Sequence, residues 1–142
     1  MSDLEEIERV LADYAWACDE GEWAGLLEVF HPEAELDYST TGGPVGGRDE
    51  VVAWLEESLS QVEMIQHVVS NLRIDVDGDA AGGRAMFFTS VRLPGLPGVL
   101  LTGGYYELRL VRDGGRWRVR RLFEDNRWMQ HLVPADDPGT DG

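Results

Sequence analysis

The chain has 142 residues, 43% hydrophobic and 27% charged, enough for one domain with a continuous core. Its 27 acidic against 12 basic side chains leave a net charge of −15. A surface that acidic repels phosphate backbones and anionic lipids, so neither nucleic acid nor membrane is an expected partner.

The single cysteine excludes an internal disulfide. With no long apolar run and no basic-then-apolar leader, the expected location is the cytoplasm. Leu4, Ile7, Leu11, Tyr14 and Cys18 recur at spacings of three and four, which predicts a first helix with one buried stripe. Ser2 or Asp3 suits its N-cap and Gly21 ends it. Asp19 and Glu20 then fall in the last turn, where the helix dipole disfavours acids by a few tenths of a kcal/mol. Trp23, Leu26, Leu27 and Phe30 face one way on a second helix, which Pro32 should stop. "AELDY" reads as a short strand reaching Tyr38, and "STTGGPVGG" as a loop. Val51, Val52, Trp54, Leu55 and Leu59 define a third helix.

From residue 64 the period changes to that of strands: "MIQHVVSNLRIDV", then segments near 83–92, 99–112 and 116–128, separated by turn signals. Helices first and a meander afterwards predict an α+β fold, three N-terminal helices packed in a mixed or antiparallel sheet. The apolar phase slips between Val119 and Leu122, and again between Val69 and Leu72. Each slip implies a bulge, so the sheet is expected to curve strongly into a cone with an interior pocket. Residues 1–133 form this single domain, and 134–142 read as a disordered tail.

Four residues are polar where the pattern asks for apolar ones: Tyr14 on the first helix stripe, Asp19 at its edge, Tyr38 at a strand end and His67 within the long strand. Each has an ordinary explanation: packing with a hydroxyl at the rim, a solvated helix end, a satisfied structural imidazole. Asn71 shares strand parity with His67, roughly 13 Å along, and also suits a purely local hydrogen-bonding role. His31 looks like a helix cap and His131 lies near the tail, so no metal site is expected. The glycine-rich loop 42–47 lacks the Lys of a phosphate loop.

The ordered set "CDEGEW", "FHPEAELDY", "GRDEVVAWL" and "QHVV", followed by four strands, resembles a SnoaL-like domain of the nuclear-transport-factor-2-like superfamily. Within it the likeness is to the dehydratase branch, scytalone dehydratase and the bile-acid dehydratases. That resemblance implies catalytic roles for Asp19, His67, Tyr38 and Tyr14, and a last-strand position for Arg127. Trp23 matches the branch's helix-closing Trp, and Ser90 falls where the bile-acid enzymes carry an acid. Asn71, Trp23, Trp54, Ser90 and Arg127 are the expected substrate contacts.

Eliminating water β to a carbonyl needs a base, an acid and a donor for the enolate oxygen. An imidazole can serve as base and then acid, an aspartate can orient it, and phenols can hold the oxyanion. The expectation is a cofactor-independent dehydratase acting on a small apolar, polyketide-like hydroxy-carbonyl compound. An isomerase or cyclase using the same proton abstraction is the alternative, as is a non-catalytic binding module. Apolar residues on both sheet faces, such as Phe87 with Phe88, predict a homodimer, with a trimer as the other choice.

Overall fold

The computed structural model describes residues 1–135. Helix α1 spans Asp3–Glu20 and α2 Trp23–Val29; strand β1 (Phe30–Asp37) follows directly, then a 3-10 turn at Ser39–Thr41 and β2 (Val45–Gly47). Helix α3 covers Arg48–Leu59, and four long strands complete the chain: β3 (Met64–Asp77), β4 (Ala80–Arg92), β5 (Val99–Asp113) and β6 (Arg116–Leu132). They form one sheet in the order β2-β1-β6-β5-β4-β3. β1 runs parallel to β6 and every other pair is antiparallel, so the sheet is mixed and the class α+β, as expected.

Local chemistry accounts for the helix ends. The Glu5 N–H donates to Ser2 Oγ at 3.1 Å, and Gly21 closes α1 at φ +69°, its own N–H returning to the Ala17 carbonyl. Ile7, Leu11, Tyr14 and Cys18 are buried along α1, whereas Leu4 in the first turn stays exposed. These side chains join Leu26, Val51 and Leu55 from α2 and α3 and Phe87, Leu108 and Val119 from the sheet in one core. Two details of the second helix differ from expectation. α2 ends at Val29, and Pro32 lies inside β1, in the stretch Phe30 to Glu35 where the register to β6 breaks and the missing N–H costs no ladder bond. His31 is therefore no helix cap: it sits in β1, with Nε2 3.2 Å from Asp113 Oδ2 and Nδ1 accepting from the Glu33 N–H.

Both expected bulges are present. The β3–β4 register shifts between Ser70 and Arg73, and the β5–β6 register shifts where Arg109 and Leu110 face Arg121 and Val119. A third, unanticipated shift lies at Gly103 and Gly104, opposite Trp128 and Asn126. Because strand side chains alternate, each extra residue exchanges the inner and outer faces of everything beyond it. No helix among the described residues is long and apolar enough to cross a membrane. Of the expected tail, residues 136–142 lie outside the described residues.

Candidate active site

The end of α1 docks on the start of β3 through one carboxylate. Both Asp19 oxygens accept from the His67 backbone N–H, at 3.1 and 3.0 Å, and Oδ1 lies 2.6 Å from His67 Nδ1. An ionised carboxylate can only accept, so Nδ1 carries the proton of this bond and Nε2 is left with its lone pair. The His67 and Asp19 side chains are 9% and 16% exposed, so the pair meets solvent through a narrow opening. Glu20, the neighbouring acid, is exposed.

Tyr14 and Tyr38 are brought together beside the pair. Their hydroxyls lie 2.7 Å apart in a buried hydrogen bond, and the Tyr14 ring meets the His67 ring edge-on at 6.2 Å. Burial pushes both phenols well above their ordinary range, and the neighbouring tyrosine Tyr106 pushes the same way. Both are held as neutral O–H donors. The Cys18 thiol is likewise pushed up, chiefly by burial with the Asp19 charge adding to it, and so stays an unreactive thiol.

Tyr106, Glu124 and Thr89 were not singled out from sequence. Tyr106 on β5 stacks on Phe87 at 4.6 Å, meets Tyr14 edge-on at 5.4 Å, and its buried hydroxyl has no hydrogen-bond partner. Glu124 on β6 is the register partner of Tyr106 and shares the inward parity of Leu122. Burial raises its carboxyl above the ordinary glutamate range, with a hydrogen bond from Thr41 and the charge of His67 opposing. Thr89, the buried register partner of His67, lies on the same inner face. The available signal was the phase slip itself: counting two residues on from Leu122 reaches Glu124.

The expected substrate contacts divide. Trp54 stands behind Tyr38, rings 5.7 Å apart, and covers Gly43. Trp23 opens α2 and packs, half-buried, against the core, its indole beside Gly21. Three others are corrected. Asn71 is not on the face of His67: it is the exposed residue of the β3 bulge, held at φ +52°. Ser90 shares parity with Met86 and Phe88 and points to the outer face, where Thr89 has taken the inner position. Arg127 keeps the outward parity of Asp125 and is the unpaired residue of the third bulge. It pairs with Asp125 at 2.8 Å and lies 5.2 Å over the ring of Tyr105, whose other neighbour is Arg84.

Two of the surface cavities among the described residues lie away from the Asp19–His67 pair. One, of about 970 Å³, is a groove on the outer face bordered by Glu35, Asp75, Arg84, Arg109 and Arg121; the other, of about 280 Å³, lies beside Trp16 and Trp117. Neither is lined by Asp19 or His67. Among the described residues no three His, Cys, Asp or Glu side chains gather as a metal site.

A mixed curved sheet with three helices on its inner face, and an Asp–His pair where α1 meets β3, defines an α+β fold shared with solved structures such as a protein from Kribbella flavida, at a TM-score of 0.82. The chain belongs to the SnoaL-like domain family, whose profile matches residues 1–122. An uncharacterised protein of Mycobacterium tuberculosis is 34% identical over 125 residues, covering 87% of this chain and 85% of its own. Among solved structures, a candidate scytalone dehydratase from Novosphingobium aromaticivorans superposes with a TM-score of 0.83 at 24% identity, covering 99% and 95% of the two chains. A LinA-type hexachlorocyclohexane dehydrochlorinase from Novosphingobium barchaimii gives 0.78 at 20% identity, covering 94% and 100%. Such likenesses establish the fold; the reaction has to be argued from the site.

Proposed function

We propose that the protein is a cofactor-independent lyase that removes water from a small, apolar, polyketide-like hydroxy-carbonyl compound. The observation that carries this reading is the threefold hold of Asp19 on His67, through the backbone N–H and Nδ1 together. A structural histidine needs one partner. Here Oδ1 fixes the ring in one tautomer while both oxygens anchor the residue's backbone N–H, with Nε2 left to accept a proton.

In the proposed reaction Nε2 takes the proton α to the carbonyl, and Asp19 stabilises the imidazolium that results. The Tyr14–Tyr38 pair holds two hydroxyl protons and uses one between its own oxygens. The other is available to the developing enolate, in surroundings where burial strengthens the bond. The two structural neighbours named as a dehydratase and a dehydrochlorinase support an elimination. An isomerase or cyclase would abstract the same proton and keep the oxygen, so product mass separates the readings.

The test is incubation with β-hydroxy ketones, beginning with 4-hydroxy-4-phenylbutan-2-one, and detection of products lighter by one water. His67→Ala and Asp19→Asn should lose the activity while circular dichroism and melting show an intact fold. Full turnover by either variant overturns the reading.

The proposal includes a second copy of the chain as cover for the sheet's outer face. Val68, Phe88 and Trp128 lie side by side there, 50%, 41% and 45% exposed, with Trp128 5.9 Å from Phe88 across Gly103. Arg84, Arg109 and Arg121 beside Glu35 and Glu107 mix both signs of charge on that face. Elsewhere the surplus of acids opposes self-association.

A further inference from the structure

Two buried polar groups are left unused by this reading. The Tyr106 hydroxyl is unpartnered on a residue 1% exposed, and an orphan of that kind normally awaits a ligand or costs stability. Beside it, Glu124 is strapped down by the turn Ser39–Thr41. Thr40 Oγ1 donates to the Glu124 carbonyl at 2.6 Å and accepts from the Asn126 N–H, while Thr41 Oγ1 lies 2.7 Å from Glu124 Oε1. The other acceptor within reach of Thr41 Oγ1, the Tyr38 carbonyl at 3.2 Å, already receives the Thr41 and Gly43 N–H groups. The hydroxyl proton therefore serves Oε1, and Oε2 is the oxygen free to carry a proton and release it.

We propose that Glu124 is the acid that protonates the departing hydroxyl, with the Tyr106 hydroxyl holding that oxygen, so that His67 and Glu124 divide the two proton transfers. The proposal rests on the lyase reading and changes it at one point, since His67 need no longer return its proton to the leaving group. The groups around Glu124 suit the role. Tyr14 and Cys18 from α1, Tyr38 after β1 and Tyr106 from β5 all feel its charge, and burial keeps every one of them neutral. His67 is the one cationic group that acts on it, and a charge there favours the carboxylate that the step leaves behind.

The step balances. The Cα–H bond breaks with its proton going to Nε2, and its electron pair becomes the C=C bond. The Cβ–O bond breaks, and the oxygen leaves with the Glu124 proton as water. His67 is then a cation and Glu124 a carboxylate; transfer of the proton from Nε2 to Oε2, through the released water, restores both. The subsite also defines the substrate class. It takes an uncharged hydroxy-ketone, because a ligand carboxylate would accept the proton that Glu124 must give to the hydroxyl and would repel the carboxylate left behind.

Two probes separate acid from base. Ring opening of 5-nitrobenzisoxazole needs a base but releases a stabilised phenolate that requires no acid, whereas 4-hydroxy-4-phenylbutan-2-one loses hydroxide and does require one. Glu124→Gln should slow the dehydration by about 100-fold or more relative to the ring opening, while His67→Ala loses both. Equal effects of E124Q on the two probes, or none on either, overturn the proposal. A carboxyl-carbon NMR titration of the full chain, with E124Q for assignment, reads the group without any substrate. Glu124 should titrate above the ordinary glutamates, and higher still in Thr41→Val; titration among the ordinary glutamates overturns the proposal. If Glu124 titrates high and the wild type acts on neither probe, it is the lyase reading that fails, and the acid role with it.

Discussion

The two faces of this sheet carry each other's usual residues. The inner face, against the helices, holds three phenols, a carboxyl and an imidazole with its aspartate, all buried or nearly so. The outer face, open to water, presents Val68, Met86, Phe88 and Trp128. Burying polar groups costs free energy unless they are paired, and exposing a row of large apolar ones invites association. Each face is therefore out of balance in a chain on its own. On the proposed reading a bound substrate with a polar end balances the inner face, and a second copy of the chain balances the outer one.

The sharpest way to break the inner half of this comparison is Asp19→Asn. An asparagine removes the charge that stabilises the imidazolium, and with its NH2 in the place of Oδ1 it drives the ring to the wrong tautomer. Turnover of the hydroxy-ketone should fall by about 10³- to 10⁴-fold, with melting temperature little changed. Next in size is the outer face. Phe88→Asp places a charge in the centre of the Val68–Phe88–Trp128 row, and sedimentation or light scattering should show the dimer become a monomer with the inner site still competent. A wild-type monomer at the same concentration would remove the outer half of the comparison altogether.

A smaller effect has the opposite sign. Tyr106→Phe removes the orphan hydroxyl at nearly constant volume, so chemical denaturation should show a gain of about 1 kcal/mol. The same change should weaken turnover. A loss of stability instead would mean that the hydroxyl is satisfied in solution and is not awaiting a ligand.

These two faces were unequally legible in the sequence. The helix stripe, the Gly21 stop and the strand turns all follow from local pattern, and so do Tyr14, Asp19, Tyr38 and His67, each polar at a position that local pattern makes apolar. What failed in the strands failed over facing. Facing in a strand is a matter of parity, and every bulge reverses it. Phe87 and Phe88 are adjacent and equally apolar, so nothing local says which of Ser90 and Thr89 turns inward. Pairing with β5 decides it for Thr89. Asn71 is the bulge itself; Arg127 is outward by the same count from Leu122 that turns Glu124 inward, and its place in the last strand, known only by resemblance, did not carry its facing. Glu124 had a signal, since it follows Leu122 by two within one unbroken register, but identifying it as a site residue required knowing that Tyr106 and Thr41 would meet it.

The smallest expected effect tests the balance of the inner face most directly. Burial raises the Glu124 carboxyl above its ordinary value of 4.5, so the folded chain binds this proton more tightly than the unfolded one. A group shifted in that direction adds stability that is fully present below the unfolded value and is lost as pH rises through the folded one. Stability of the wild type relative to E124Q should therefore be greatest in acid and decline from about pH 4.5 upward, levelling off once the folded carboxyl has ionised. Thr41→Val removes the hydrogen bond that favours the carboxylate, so in that background the decline should extend to higher pH. Denaturant unfolding of the four proteins (wild type, E124Q, T41V and the double variant) across this range measures the difference. A flat difference curve would mean that Glu124 ionises as freely as a surface carboxyl, and the inner face would then hold only its Asp–His pair and tyrosines in reserve.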